Sequence, residues 1–179
     1  TWTHLADWTE AAGITTETID FEALTATDSI ETQYTSLGAT FDGTPLAATT
    51  IDGSPPNGTL AAEAVGTTLS VEFTELQPAV ALTFIDLDST ATIEGYVAST
   101  LVYSTSFTGS GSNDFVGLTT EYGFDRLDIT VTSDTFGADD VIFSALGLDD
   151  ADGDGMTEAE GDCDDADATT YLGAEETWY

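Results

Sequence analysis

Thr68-Leu69-Ser70-Val71-Glu72-Phe73 alternates polar and apolar side chains, and Ala79-Val80-Ala81-Leu82-Thr83-Phe84-Ile85 follows it after Pro78. Successive side chains of an extended chain point to opposite faces, so this period of two marks a strand with one face in a core. The same reading applies to Thr18-Ile19-Asp20-Phe21-Glu22, Thr92-Ile93-Glu94-Gly95-Tyr96-Val97, Leu101-Val102-Tyr103-Ser104-Thr105-Ser106-Phe107, Arg126-Leu127-Asp128-Ile129-Thr130-Val131 and Val141-Ile142-Phe143-Ser144-Ala145-Leu146. These runs are rich in Thr, Val, Ile, Phe and Tyr, and Gly, Ser, Asp and Pro separate them. They predict an all-β fold, a two-layer antiparallel sandwich of jelly-roll type over residues 17–148, built from seven to nine short strands. Helical spacing is weak except in the N-terminal segment, residues 1–16, where Trp2, Leu5, Trp8 and Ala12 share one face suited to core packing.

Residues 149–179 form a third region of a different kind. Twelve of the 34 acidic residues lie between Asp149 and Glu176. Carboxylates at this density repel one another unless something neutralises them. Asp150, Asp152 and Asp154 stand at positions 1, 3 and 5 of an oxygen-ligand calcium loop, with Gly155 at the sharp turn of position 6. Position 12 of such a loop is Gly161 and not the bidentate Glu of an EF-hand, so an irregular acidic loop is expected in place of a helix-loop-helix sensor. One ion would take Asp150, Asp152, Asp154, the Met156 carbonyl and Glu158 or Asp162, and a second would use Asp164, Asp165 and Asp167. Hard oxygen donors favour calcium. The alternative is a solvated acidic tail.

This segment, from Asp152 to Asp167 with Gly173-Ala174-Glu175-Glu176 after it, resembles the metal-binding repeat of bacterial surface and secreted proteins and is similar to thrombospondin type 3 calcium repeats. In that repeat the cysteine pairs with another a short way downstream, whereas here Trp178-Tyr179 stand where the second half of the motif would begin. The resemblance therefore implies a piece of a longer protein. The body has a looser likeness. Asp20-Phe21-Glu22, Tyr34 to Phe41 and Phe136 to Phe143 resemble the sandwich domains of exosortase-anchored bacterial surface proteins, themselves similar to jelly-roll carbohydrate-binding modules. That resemblance implies a structural calcium shared by the first and last strands, at the places held by Asp20, Glu22, Asp139 and Asp140. Ordinary strand-end carboxylates are the other reading.

With one Arg, no Lys and a formal net charge of -33, the surface repels phosphate, which excludes nucleic-acid backbones and anionic membranes as partners. No apolar run is long enough for membrane insertion. Hydrophobic residues make up 41% of the chain, enough for a real core. Without Lys there is no isopeptide, Schiff-base or P-loop chemistry. Cys163 is the only cysteine, so no intrachain disulfide forms; in a secreted protein a lone Cys suggests an intermolecular partner. Thr1 reads as a mature N-terminus left by a removed signal peptide, which places the protein outside the cell, on its surface.

No catalytic constellation emerges, and the chain reads as a non-enzyme. His4 is the only histidine, and pairs of carboxylates carry no weight among so many. Asp86 and Asp88 are a minor candidate for a cation or a polar ligand, and Arg126 is expected in a structural ion pair. The expected function is a calcium-rigidified structural or adhesive module of a cell-surface or filament-forming protein. Its partners would be calcium, identical or related subunits, or surface glycans. Trp2, Trp8, Trp178 and Tyr179 could dock onto neighbours. The alternative is a carbohydrate-binding module with Tyr96 and Tyr103 on an aromatic platform.

Overall fold

Period-two runs of β-branched and aromatic residues become strands because each buries one face while its backbone pairs sideways. In the computed structural model, which describes residues 1–12, 16–42, 46–48, 54–64, 67–132, 134–144 and residue 169, there are nine antiparallel strands, one α-helix and one 3-10 turn (Thr35–Leu37). The helix is α1 (Leu5–Ala12). The strands are β1 (Thr16–Ile19), β2 (Ala39–Asp42), β3 (Leu46–Ala48), β4 (Ala61–Glu63), β5 (Thr68–Ile85), β6 (Thr90–Val97), β7 (Thr100–Thr108), β8 (Asp114–Val131) and β9 (Gly137–Ser144). The chain divides into two units, Thr1–Ser144 and Ala145–Tyr179. The expected calcium ligands Asp150, Asp152, Asp154, Met156, Glu158, Asp162, Asp164, Asp165 and Asp167, together with Cys163, Trp178 and Tyr179, lie outside the described residues.

The sandwich turns on two strands longer than the alternation suggests. β5 and β8 each run for 18 residues and pair with one another along most of that length. Their register shifts between Glu72 and Ala79, and Pro78 sits at the irregularity, where a strand tolerates a residue that cannot donate. On one side of this break, β2, β5, β8, β6 and β7 lie in sequence across one layer. On the other side the first half of β8 and the second half of β5 continue into β9, which β1 and β4 extend in turn, with β3 beyond β4. The two long strands thus change layers at a bend, as in sandwiches with corner-turning strands.

Between the layers lies one apolar core. Leu69, Val71, Phe73, Leu127, Ile129 and Ile93 from the first layer meet Val80, Leu82, Phe84, Val116, Leu118 and Phe143 from the second. Every residue from Ala79 to Ile85 is buried, so this stretch loses both faces to the interior. The reason lies in α1. Trp8 is completely buried against Ala79 and Ala81 on the back of the second layer, where its indole N–H donates to the Leu118 carbonyl at 3.0 Å. Gly117 makes the notch: a Cβ there would sit 2.3 Å from Trp8 Cδ1. Trp2 bridges to Gly117 in both directions, at 2.7 and 2.8 Å. The N-terminal segment is therefore part of the sandwich, and Trp8 is spent inside the chain rather than offered to a neighbour. Leu5, expected on the same helical face, is 50% exposed.

Candidate metal centre

At the end of β1 the chain turns sharply. Phe21 takes a left-handed backbone (φ 59°), which sends its ring into the core against Tyr34 and Phe41 and leaves Asp20 and Glu22 on either side. β1 pairs with β9 up to Ile19–Val141, so this turn leaves the sheet beside Asp140 and Asp139. β9 is itself irregular there. Its register against β5 shifts between Ala81–Ile142 and Thr83–Asp139, and Asp140 has φ 48°. A bulge of this kind turns neighbouring side chains in different directions. Asp139 goes fully inside, while Asp140 stays part-exposed.

Asp20, Glu22, Asp139 and Asp140 lie in one neighbourhood, with Asp139 at its buried centre. Each of the outer three is already engaged. Asp20 Oδ1 accepts from the Glu22 amide at 3.2 Å. Glu22 Oε1 accepts from the amides of Thr59 and Leu60 at 2.7 and 2.6 Å, and its carboxylate lies where a Cβ on Gly58 would be. Asn57 donates to both oxygens of Asp140, at 2.7 and 2.8 Å. The loop from Asn57 to Leu60 therefore closes over the carboxylates. Nothing in the alternation pattern signalled it, because its partners are 37 to 83 residues away.

Asp139 stands apart from these three. Neither of its oxygens has a hydrogen-bond partner, although the residue has no exposed surface. Burial pushes its carboxyl up to about 7, and the charges of Asp140 and Glu22 push the same way. The backbone amides of Asp140 and Asn57 pull it down. They lean toward the carboxylate without reaching hydrogen-bond geometry, so the oxygens count as orphaned. Tyr34 belongs to the same pocket. Burial first, then the charges of Asp20, Asp139 and Glu22, push its phenol up to about 12, and its hydroxyl also lacks a partner.

A buried carboxylate without partners costs free energy in its ionised form and either holds a proton or takes a cation. Three carboxylates around one orphan offer hard oxygen donors, which suit calcium. They do not yet converge, for among the described residues no three acidic, histidine or cysteine side chains stand in ligand geometry. Glu22, Asp140 and the Asn57 amide would have to turn their oxygens toward Asp139. The donor set fits calcium by chemistry, and binding would require those side chains to turn.

The remaining candidates fall elsewhere. Asp86 and Asp88 flank the turn after β5, where Asp134 accepts from the Asp88 amide at 3.1 Å, an arrangement that holds the turn. Arg126 does form the expected ion pair, with Nε 3.2 Å from Asp128 Oδ1, although the N–H is not aligned as a hydrogen bond. Its guanidinium also covers Tyr96 at 4.3 Å from the ring centroid. Tyr96 points outward from the first layer, whereas Tyr103 packs against the core margin, so the two do not form a common platform. Beside Arg126 is a cleft of about 290 Å³, bounded by Glu72, Thr74, Ala98, Ser99 and Asp125.

No family model and no curated protein sequence matches the chain. Among solved structures, the cleaved adhesin domain of Lys-gingipain aligns with 73% of this chain and 99% of its own, at 11% identity and a TM-score of 0.47. A family 29 carbohydrate-binding module aligns with 72% of this chain and 87% of its own, also at 11% identity and 0.47. A variant of such a module complexed with mannohexaose covers 73% and 91% with the same identity and score. By its own strand order and pairing the chain is an all-β antiparallel sandwich.

Proposed function

We propose that the chain is an extracellular structural or adhesive module of a bacterial surface protein, locked by calcium at the joint between its first and last strands. The observation that supports this reading is Asp139, a fully buried carboxylate with no partner beside three further carboxylates. A divalent ion there would neutralise the cluster and tie β1, β9 and the loop from Asn57 to Leu60 into one unit. The acidic segment after Ser144 would bind further ions by the same chemistry, and its likeness to bacterial metal-binding repeats points the same way. At millimolar extracellular calcium even a site with a dissociation constant of about 10⁻⁴ M is mostly filled.

The test is thermal melting of the full chain in calcium, in magnesium and in chelator, beside the variant D152N/D154N. Calcium should raise the melting temperature more than magnesium, because the smaller ion resists giving up its water. The rise should survive in the variant, since the sandwich site is separate. No rise, or a rise abolished by D152N/D154N, would move calcium out of the sandwich.

A second reading rests on the outer face of the first layer. There Glu72, Arg126 and Tyr96 form one cross-strand row, with Ser70, Asp128, Glu94 and Ser104 in the next, beside the cleft. Carboxylates that accept from hydroxyl groups, plus a flat guanidinium, suit an uncharged oligosaccharide and repel an acidic one. Calorimetry with neutral and uronate-containing oligosaccharides separates these, and binding of neither removes the reading.

A further inference from the structure

β7 ends the first layer. Among the described strands it pairs with β6 alone, so the backbone groups on its other side face outward. The other edges are short: β1 and β2 have four residues each and β3 has three. β7 has nine, Thr-Leu-Val-Tyr-Ser-Thr-Ser-Phe-Thr, with no charge, no proline and no glycine. Long open edges usually carry charges or proline to prevent pairing with another chain. In a chain with 34 acidic residues, a long edge left free of them is unusual. Leu101 and Val102, at its start, are 48% and 49% exposed.

The irregularity in β7 is confined to that start. Gly95 pairs with Tyr103 and Tyr96 with Leu101, so Val102 is extra, and from Tyr103 to Thr108 the register with β6 is regular. We infer that this stretch pairs antiparallel with the same stretch of a second copy, about a two-fold axis at Thr105, joining two first layers into one continuous sheet. The sequence is self-complementary about that point. Tyr103 would lie opposite Phe107 of the other copy, and Ser104 opposite Ser106, with each pair occurring twice. Tyr103 and Phe107 are part-buried on the core side, where Phe107 already stacks on Phe84. Aromatic pairs across antiparallel strands are among the favourable ones, and they would close the open margin of the core. A shift of the axis by one residue in either direction loses both aromatic pairs.

Charge supports this register. Glu94 pairs with Ser104, and Thr92 with Ser106. The cross-strand row therefore runs Glu94, Ser104, then Ser106 and Thr92 of the other copy, and the two copies of Glu94 fall on different rows. What opposes pairing is the long-range repulsion between two chains of net charge -33. Salt screens this, since the Debye length falls from about 10 Å at 0.1 M to about 3 Å at 1 M. Association should therefore increase with ionic strength, opposite to the behaviour of a contact made by ion pairs.

The experiment is sedimentation velocity on the full chain from low to molar sodium chloride, in chelator so that the acidic segment does not recruit ions. Dimer should appear as salt rises. The variant S104E/S106E, altered at two exposed positions, should stay folded, with a melting temperature lowered slightly because residue 104 faces Glu94, and stay monomeric, because carboxylates would then oppose one another across the axis. Mixed with S104R/S106R it should recover a heterodimer. T105C in a C163S background should form a disulfide-linked dimer under mild oxidation, which reports the register. A chain monomeric at every salt concentration up to millimolar protein overturns the inference, and so does a dimer untouched by S104E/S106E. Hydrogen exchange gives the last check. If the outward-facing β7 amides, those not bonded to β6, are already protected in the monomer, another segment of the same chain covers the edge, and the inference fails.

Discussion

Replacing Asp139 by Asn should stabilise the calcium-free protein at pH 8, although it alters a fully buried residue. The carboxyl is raised from 3.8 to about 7 in the folded chain. A raised acid binds more protons folded than unfolded between those values. The contribution of Asp139 to stability is therefore most favourable below about pH 4, falls as pH climbs toward 7, and stays reduced above it. Three units correspond to about 4 kcal/mol as an upper bound. D139N removes that charge but leaves a buried amide whose donors and acceptor lack partners, at a cost of about 1–3 kcal/mol. The net gain at pH 8 is then about 1–3 kcal/mol, or roughly 2–12 °C in melting temperature for a domain of this size. At pH 4 to 5 the wild-type group is already protonated, so D139N should be neutral or mildly destabilising there. Melting both proteins in chelator across this range checks the argument. A variant that is destabilised equally at pH 5 and pH 8 would refute it, because Asp139 would then be ionised and well paired.

Three further outcomes follow from the same geometry. E22Q removes the charge that accepts from the Thr59 and Leu60 amides and should cost about 1.5–3 kcal/mol, with hydrogen exchange of those two amides rising as the loop loosens. G117A places a methyl against the Trp8 indole, so α1 should detach from the back of the second layer. Tryptophan emission should shift to the red, with a loss of about 3–5 kcal/mol if Trp8 is expelled altogether. R126A removes the only Lys/Arg side chain, which is part-exposed, and should cost only about 1 kcal/mol of stability, while abolishing binding of any neutral oligosaccharide that uses the cleft.

The strands were legible where one face met the core and the other met water, as in Thr68 to Phe73 or Arg126 to Val131. Ala79 to Ile85 reads as a strand as well, but as one with a single buried face. Ala79 to Ile85 is buried throughout because Trp8 lies behind it, and a helix that packs through one large side chain onto a glycine notch leaves little periodic signal. The first part of β8, with Gly117 and Gly123, escaped for a related reason: glycine weakens a strand pattern exactly where another group approaches closely. Of the metal centre, Asp20, Glu22, Asp139 and Asp140 could be named from their places at strand ends. Which of them is buried depends on the bulge in β9, a one-residue event invisible to alternation. The roles of Asn57, Gly58 and Tyr34 depend on contacts across the fold, and no local pattern carries those.

The most direct test of the calcium-locked sandwich is calorimetric titration of calcium into the full chain and into D139N at pH 8. The account predicts that D139N binds one calcium ion fewer than the wild type while the ions held by the acidic C-terminal segment remain. Equal stoichiometry and affinity in the two proteins would contradict it, leaving Asp139 as a buried acid that holds a proton and no metal.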